Sequence, residues 1–289
     1  MKDDSTSIIV GDRVRIYAEA IGKRGDPTIL LIGGATWSMD WWEDGLCHRL
    51  AECGRMVVRY DQRDTGRSTS YPPGEPDYSG ADLVDDAIAV LDGFEIDRAH
   101  VVGFSMGGGV AQRLALEYRK RLSTLTLIST TPIDPGVDGL PGPTPEVQAT
   151  FADDGPPPDW DDRDSVIDFI VEGERPYAGP GNFDEPRLRA IAGRVFDRSD
   201  DIEASMTNHF LLDDEGPPSP CLRRLTDLPT LVVHGTADPM FPPEHGRALA
   251  GMILGAQLVE LDDIGHQLPP PSTWDQLVEL LTEHTTSEP

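Results

Sequence analysis

One serine of the chain stands in a pattern that is typical of a catalytic nucleophile. Ser105 lies in the sequence Gly-Phe-Ser-Met-Gly, with Gly103 two residues before it and Gly107 two residues after it. A β-branched, apolar run ends at Gly103, and residues 106–117 are predicted to form a helix, so the serine lies at a strand-to-helix turn. On such a turn, called a nucleophile elbow, small neighbours let the strand and the helix pass closely while the hydroxyl is held out for attack.

A serine hydroxyl needs a general base, and the base needs an acid that holds its tautomer. His266 follows the last predicted strand, in the sequence Asp-Ile-Gly-His. Asp238 follows the preceding strand, in Gly-Thr-Ala-Asp-Pro, and the order Ser, Asp, His is the one expected after such an elbow. We therefore predict a triad of Ser105, Asp238 and His266. Asp134, which follows the strand after the elbow helix, is the alternative acid.

The oxyanion of an acyl-transfer reaction needs two N–H donors. One is expected from Met106, at the start of the elbow helix, where free N–H groups and the helix dipole favour negative charge. The second is expected from the double-glycine turn after an earlier strand, where either Gly34 or Ala35 can donate. Trp37 and Phe104 are close to these two segments in sequence, and we expect them to line the substrate pocket.

The apolar pattern predicts the elements that must hold these groups. Short, continuous apolar runs alternate with amphipathic helices, which is typical of a mostly parallel sheet covered by helices on both faces. Ligands of such sheets bind beyond the carboxyl ends of the strands, so the loops that carry the site residues should converge there. Strands are predicted at 28–32, 55–60, 99–103, 122–128, 230–234 and 257–261, after an opening hairpin at 7–18 with its turn at Gly11-Asp12. Helices are predicted at 44–53, 82–94, 106–117, 243–252 and 274–284.

The composition changes abruptly in the middle of the chain. Residues 132–220 are rich in Pro, Gly and Asp and hold only helical patches. We interpret them as a helical cap inserted into a core formed by residues 1–131 and 221–289, and we expect the cap to form a lid over Ser105. The helical patches lie near 145–151, 164–174, 186–196 and 202–212.

Charge and composition exclude several classes of partner. The chain has 289 residues with 51 Asp and Glu against 24 Lys and Arg, a formal net charge of −27. Such a surface repels phosphate backbones and anionic lipid, so neither nucleic acid nor a membrane is expected as a partner. The N-terminus lacks the basic and apolar segments of a secretory signal, and we expect a cytoplasmic protein. Three cysteines without a close pair predict neither a disulfide framework nor a metal site.

Four motifs together resemble the α/β-hydrolase superfamily: Gly-Phe-Ser-Met-Gly, Gly-Thr-Ala-Asp-Pro, Asp-Ile-Gly-His and Arg-Tyr-Asp-Gln-Arg-Asp-Thr-Gly-Arg-Ser. The last motif and the segments that follow it are similar to the aclacinomycin methylesterase type of actinobacterial serine esterases, which shares the double glycine of the turn. The resemblance covers essentially the whole chain apart from the insertion. It implies that Ser105 is the nucleophile, Asp238 the acid and His266 the base, with Met106 and Gly34 as oxyanion donors.

The expected function is hydrolysis of a carboxylic ester of a small molecule through an acyl-enzyme, without a metal or an organic cofactor. A methyl ester of a polyketide-like molecule is one candidate substrate that the resemblance implies. The same residues would serve a lactonase, an amidase or a cofactor-free perhydrolase of the haloperoxidase type. The alternative without catalysis is a hydrolase-like ligand receptor. The oligomeric state stays open at this point.

Overall fold

Eight strands form a sheet in the computed structural model, which describes residues 4–10, 13–134, 137, 139–152, 155–212 and 221–286. The order of the strands across the sheet is β1-β2-β4-β3-β5-β6-β7-β8. The strands are β1 (Asp4–Val10), β2 (Val14–Ile21), β3 (Thr28–Ile32), β4 (Met56–Tyr60), β5 (Ala99–Phe104), β6 (Leu122–Ile128), β7 (Thr230–Gly235) and β8 (Gln257–Leu261). The helices are α1 (Asp44–Glu52), α2 (Gly80–Gly93), α3 (Met106–Glu117), α4 (Pro145–Ala152), α5 (Arg163–Glu174), α6 (Glu185–Arg198), α7 (Ile202–Thr207), α8 (Glu244–Met252) and α9 (Trp274–His284).

The direction of the strands brings the predicted site loops to one edge of the sheet. β1 and β2 pair as an antiparallel hairpin that extends three residues beyond the predicted 7–18 at each end, and its Gly11-Asp12 turn lies outside the described residues. Strand β2 also pairs antiparallel with β4. From β4 to β8 every neighbouring pair is parallel. The carboxyl ends of β3 to β8 therefore lie side by side, as the sequence predicts.

Two apolar clusters cover the two faces of this sheet. Helices α2, α3 and α8 pack on one face, and helices α1 and α9 pack on the other. Successive residues of a strand point to opposite faces, and in β3 Leu30 and Ile32 join the first cluster while Ile29 and Leu31 join the second. Burial on both faces explains why the central strands are continuous apolar runs. None of the described helices combines the length and the apolar character that crossing a membrane requires.

The predicted helix boundaries lie within two residues of the observed ones except at the end of α7, and two of the differences arise from polar side chains. Helix α2 begins at Gly80 rather than at Asp82, because the Asp82 carboxylate accepts hydrogen bonds from the backbone N–H and the hydroxyl of Ser79 and so caps the helix one turn earlier. Helix α7 ends at Thr207, before the predicted residue 212. The chain continues as a 3₁₀ turn over Asn208–Leu211, in which the buried Asn208 side chain binds core segments.

Helices α4 to α7 lie between β6 and β7, where the sequence predicts the cap. The apolar side of α5 and α6 belongs to the same cluster as the helices on the α1 side of the sheet. The cap is therefore packed onto the core through a shared apolar interior. Its division from the core at residues 132 and 220 stays a prediction, because 213–220 lie outside the described residues. The apolar cap residues in this cluster are Val166, Ile167, Ile170, Val171, Ile191, Ala192 and Val195.

A buried ionic group ties the end of α6 to two core loops. Arg198 Nε lies 3.0 and 2.8 Å from the two carboxylate oxygens of Asp40, and its Nη2 lies 2.6 Å from Asp61 Oδ1. The fully buried Asp61 also accepts the backbone N–H groups of Met39 at 2.9 Å and Arg67 at 3.0 Å. A buried carboxylate with these donors holds both loops and the cap in one arrangement.

Candidate active site

Ser105 follows β5 in a backbone conformation that side-chain-bearing residues rarely adopt. Its φ is 50° and its ψ is −117°. The conformation is held from both sides, because the Ser105 N–H donates to the Ile128 carbonyl at 3.0 Å and the Ser105 carbonyl accepts the Thr130 hydroxyl at 2.8 Å. Ile128 is the last residue of the neighbouring strand β6 and Thr130 lies two residues after it, so β6 and the segment that follows it fix the serine.

The glycines of the elbow are required by the close approach of backbone to backbone. A Cβ atom at Gly103 would lie 2.2 Å from the Gly107 carbonyl oxygen. A Cβ atom at Gly107 would lie 2.3 Å from the Gly33 oxygen and 2.5 Å from the Ile32 oxygen. No side chain fits at these distances, so strand β3, strand β5 and helix α3 can meet there only with glycine.

Three predicted residues from different loops form one hydrogen-bonded chain. His266 Nε2 lies 2.9 Å from Ser105 Oγ, and His266 Nδ1 lies 2.9 and 3.2 Å from the two carboxylate oxygens of Asp238. The buried Asp238 also accepts the backbone N–H groups of Met240 at 3.0 Å and Phe241 at 2.8 Å. With a proton on Nδ1, the imidazole offers Nε2 as an acceptor to the serine hydroxyl, which is the arrangement of a general base.

The alternative acid lies elsewhere. Asp134 Oδ2 accepts the backbone N–H of Leu222 at 3.2 Å. Another histidine supports the acid instead: His234 Nε2 donates to the Phe241 carbonyl at 2.7 Å and lies 3.6 Å from Asp238 Oδ2. Burial lowers the pKa of His234 from its ordinary value, which keeps this ring neutral. The sequence predicts His234 inside its strand but gives no sign of this contact.

The predicted oxyanion donors lie around Ser105. Met106 is the first residue of α3, where a backbone N–H has no partner within the helix. At Gly34 an added Cβ would lie 3.6 Å from Ser105 Cβ, so the double-glycine turn passes next to the serine. Gln62 Nε2 donates to the carbonyl oxygens of both glycines at 3.2 and 3.3 Å and thereby fixes the turn. Gly34 and Ala35 both stay candidates for the second donor.

His209 of the cap holds the same turn, and sequence reasoning missed it. Its Nδ1 accepts the backbone N–H of Thr36 at 2.9 Å, and its Nε2 donates to the Arg63 carbonyl at 2.9 Å. Thr36 has a φ of 66°, so an otherwise unfavourable turn is secured by this bond. Burial lowers the pKa of His209, and the neutral ring with its proton on Nε2 satisfies both partners.

A second cap segment holds the loop that carries the base. The Tyr177 carbonyl accepts the backbone N–H of His266 at 2.8 Å, and the Gly179 N–H donates to Gln267 Oε1 at 2.9 Å. The two segments are so close that a Cβ at Gly265 would lie 2.2 Å from the Tyr177 oxygen. The orientation of the base therefore depends on the cap, which no sequence motif indicates.

A small cleft lies between the cap and the core segments that carry Trp37 and Gln267. Trp37 is stacked between Phe104 and Trp41, with ring centroids 4.3 and 4.7 Å apart and interplanar angles of 7°. The two tryptophans line a solvent-connected cleft of about 20 Å³, whose lining also includes Gln267, the residue that follows His266. Phe104 is buried behind Trp37, so of the two predicted pocket residues Trp37 alone reaches this cleft.

Comparisons with known proteins agree with this architecture. A family model described as the alpha/beta hydrolase fold matches residues 27–269. Rhodomycin D methylesterase DauP of a Streptomyces species is 34% identical over 279 residues, covering 91% of this chain and 93% of that protein. Rhodomycin D methylesterase DnrP of Streptomyces peucetius is 33% identical over 284 residues with the same coverage. The structure of an esterase from Exiguobacterium antarcticum, similar in fold, has a TM-score of 0.77 at 22% identity and covers 98% of this chain and 100% of that chain.

We predict that Gly103→Ala destabilises the protein, because its Cβ would meet a backbone oxygen that cannot move freely. The expected loss in the free energy of unfolding is about 1–3 kcal/mol, measured by urea unfolding. Gly109→Ala, in the same elbow region, is the matched control: its Cβ would meet only the Ile133 side chain at an ordinary 3.7 Å. The control is expected to gain roughly 0.5–1 kcal/mol, because glycine is unfavourable inside a helix. Equal stabilities of the two variants would contradict the crowding described above.

The buried His209 predicts loss of stability in acid. Because its pKa is lowered in the folded protein, protonation favours the unfolded chain, so its contribution is present above the ordinary histidine pKa of about 6.5 and is lost as the pH falls through the folded value. His209→Asn retains an acceptor for the Thr36 N–H but does not titrate. Between about pH 7 and about pH 5 the variant should lose less stability, by up to about 1.4 kcal/mol per pH unit.

Urea unfolding at a series of pH values measures this difference in slope. His48→Asn replaces a partly exposed histidine on α1 and serves as the control, with the wild-type slope expected. A His209→Asn slope identical to that of the wild type would show that His209 does not stay neutral in the folded protein.

Proposed function

The chain belongs to the α/β-hydrolase fold family, and from that premise we propose that it is a serine esterase whose acyl-enzyme forms on Ser105. The observation that carries this proposal is the hydrogen-bonded chain from Ser105 Oγ through His266 to Asp238, with 2.9 Å at each link. It lies at the carboxyl edge of the sheet, where ligands of mostly parallel sheets bind.

In the first half of the reaction Ser105 Oγ attacks the carbonyl carbon of the ester, and His266 Nε2 takes the hydroxyl proton. The carbonyl electron pair moves to the oxygen, which accepts N–H groups from Met106 and from Gly34 or Ala35. The carboxylate of Asp238 stabilises the imidazolium. The intermediate then expels the alcohol, to which His266 returns the proton, and an ester of Ser105 remains.

In the second half a water molecule attacks the acyl carbon of this ester, and His266 Nε2 takes one of its protons. The bond between the acyl carbon and Ser105 Oγ breaks, and the serine recovers its proton from His266. The carboxylic acid is released. Every proton passes through one nitrogen, so the whole cycle depends on the tautomer that Asp238 selects.

The proposed substrate is a methyl ester of a polyketide-like small molecule. The two methylesterase relatives, which match along nine-tenths of this chain, support the methyl ester. We place the enzyme in the cytoplasm, and we propose that the cap forms a lid over Ser105. The net charge of −27 disfavours nucleic acids and anionic lipid as partners.

We predict that Ser105→Ala abolishes hydrolysis of a p-nitrophenyl ester, with a loss of at least about 10⁴-fold in kcat. Wild-type protein should be labelled by a fluorophosphonate on Ser105, located by mass spectrometry, and the variant should not be labelled. Ser165→Ala, a serine of the cap distant from the triad in sequence, is the control and should retain turnover and label. Folded wild-type protein without label and without turnover on a broad ester panel would support the ligand receptor instead.

Replacing the acid tests the assignment of Asp238 against its alternative. Asp238→Asn keeps the size of the side chain but favours the wrong imidazole tautomer, and kcat should fall by about 10³- to 10⁴-fold. Asp134→Asn should change kcat by less than about twofold, because Asp134 binds the Leu222 N–H and not the base. Steady-state kinetics of both variants on the same ester give the comparison. The reverse order of the two losses would assign the acid to Asp134.

A further inference from the structure

Gln62 belongs to a sequence motif that the proposed mechanism does not use. It is the fourth residue of Arg-Tyr-Asp-Gln-Arg-Asp-Thr-Gly-Arg-Ser and lies in the loop after β4. Its side chain is fully buried, and its Nε2 donates to the carbonyl oxygens of Gly33 at 3.2 Å and Gly34 at 3.3 Å. These carbonyls belong to the two peptide units whose N–H groups, on Gly34 and Ala35, are the candidates for the second oxyanion donor.

The planarity of the peptide bond turns these two contacts into an orientation of the donors. Both peptide units are trans, so in each of them the N–H and the C=O lie in one plane and point in opposite directions. The direction of the Gly33 carbonyl therefore sets that of the Gly34 N–H, and the Gly34 carbonyl sets that of the Ala35 N–H. Because one amide nitrogen binds both carbonyls, both N–H groups point away from Gln62.

The double-glycine turn separates Gln62 from the nucleophile. A Cβ atom at Gly33 would lie 3.8 Å from Gln62 Nε2, whereas a Cβ atom at Gly34 would lie 3.6 Å from Ser105 Cβ. Gln62 thus reaches the reacting atoms only through the two peptide units that it binds. A residue that acts in this way is a positioning residue, in contrast to the triad residues, which exchange protons or bonds with the substrate.

Gln62 is itself held in place by the residues on both sides of it. The buried Asp61 carboxylate binds Arg198 Nη2 at 2.6 Å, and Arg63 Nε binds the Asp86 carboxylate at 2.7 Å. The backbone of Gln62 is therefore fixed at both ends. A side chain on such a backbone passes its own position on to the turn that it contacts.

The Gln62 side chain leaves one of its own atoms unsatisfied. In the part of the chain that the structure describes, the buried Oε1 has no hydrogen-bond partner. Turning the amide over would place Oε1 against the two carbonyl oxygens, so Nε2 is the atom that must face them. A buried acceptor without a partner destabilises a fold, and such groups require an explanation other than stability.

We propose that Gln62 is a positioning residue of the oxyanion hole, which aims the N–H groups of Gly34 and Ala35 at the oxyanion. The proposal holds for either donor, because the same nitrogen orients both peptide units. A hydrogen bond to a carbonyl also polarises the N–H of the same peptide unit and so strengthens it as a donor. The inference rests on the proposed function in one respect, that a tetrahedral oxyanion forms at Ser105.

The substitution Gln62→Met keeps the length of the side chain and removes the donor. On a p-nitrophenyl ester, kcat should fall about 10- to 100-fold while KM changes by less than about twofold, because the oxyanion is absent from the ground state. Phenylboronic acid forms a negatively charged tetrahedral adduct with a serine, and its Ki should rise by the factor by which kcat/KM falls. An unchanged kcat in the folded variant would overturn the proposal.

Gln112→Met is the matched control, because Gln112 is a second fully buried glutamine that binds two backbone carbonyls. Its Nε2 donates to the oxygens of Gly108 at 3.1 Å and Thr131 at 2.9 Å, and its Oε1 accepts the Ile133 N–H at 3.2 Å. None of these peptide units supplies a proposed oxyanion donor.

The two glutamine variants should separate activity from stability. We expect Gln112→Met to lower the melting temperature by about 5 °C or more and to change kcat by less than about threefold. Gln62→Met should lower the melting temperature by less than about 3 °C, because the unsatisfied Oε1 is removed together with the two bonds. Equal losses of kcat in the two variants would assign the effect to general disturbance of the core and overturn the proposal.

A crystal structure of the wild-type protein labelled by a fluorophosphonate tests the same geometry without any variant. The phosphonyl oxygen of the adduct lies where the oxyanion forms, and the Gly34 or Ala35 N–H should donate to it at about 2.7–3.1 Å. Gln62 Nε2 should remain on both carbonyls. A phosphonyl oxygen that neither N–H contacts, or a Gln62 side chain that has left the carbonyls, would overturn the proposal.

The adduct also separates this inference from the proposed esterase. Wild-type protein that is labelled on Ser105 but hydrolyses no ester would count against the esterase, while the structure of its adduct still decides the role of Gln62. Wild-type protein that turns over an ester at the same kcat as Gln62→Met would overturn the inference and leave the esterase in place. Wild-type protein with neither label nor turnover would overturn both.

Discussion

The crossing of two backbones at the elbow is the constraint on which the site depends. The Gly103 and Gly107 positions leave no space for a side chain, and the strand, the helix and the turn after β3 meet there in direct contact. Ser105 takes its strained conformation because this crossing permits no other path. Strain of this kind costs about 1–3 kcal/mol and persists only where the surrounding structure dictates it. Here a sheet buried on both faces does so, which makes the position of the nucleophile a property of the core.

The base and the oxyanion turn depend on the cap instead. The Tyr177 carbonyl binds the backbone of the His266 loop, and the His209 ring binds the turn that follows the double glycine. Arg198 adds a buried ionic connection to Asp61. Because buried polar groups must keep their partners, the cap has one favoured position on the core. A displacement of the cap would break these bonds and move the His266 loop and the double-glycine turn, so the position of the cap and the geometry of the proposed site are coupled.

The sequence predicts those strands and site residues that are marked by short, continuous segments of the chain. Strands such as β3 and β6 are predicted at their observed bounds because burial on both faces makes them continuous apolar runs. The three triad residues follow strand ends within short motifs, so they can be recognised one at a time. His209 and Tyr177 could not be found in this way, because their partners lie far away in sequence and no spacing marks them. The early start of α2 was missed for a simpler reason, since Ser79 and Asp82 form a local cap that the apolar pattern does not show.

The acids around the site that are withdrawn from water are paired with donors from the chain itself. The Asp86 carboxylate accepts hydrogen bonds from Arg63 Nε at 2.7 Å and from Arg63 Nη2 at 2.9 Å. Glu43 is paired with Arg187, and Asp238 accepts two backbone N–H groups in addition to its contact with His266. A strongly acidic chain thus matches its buried carboxylates with donors, as their desolvation requires.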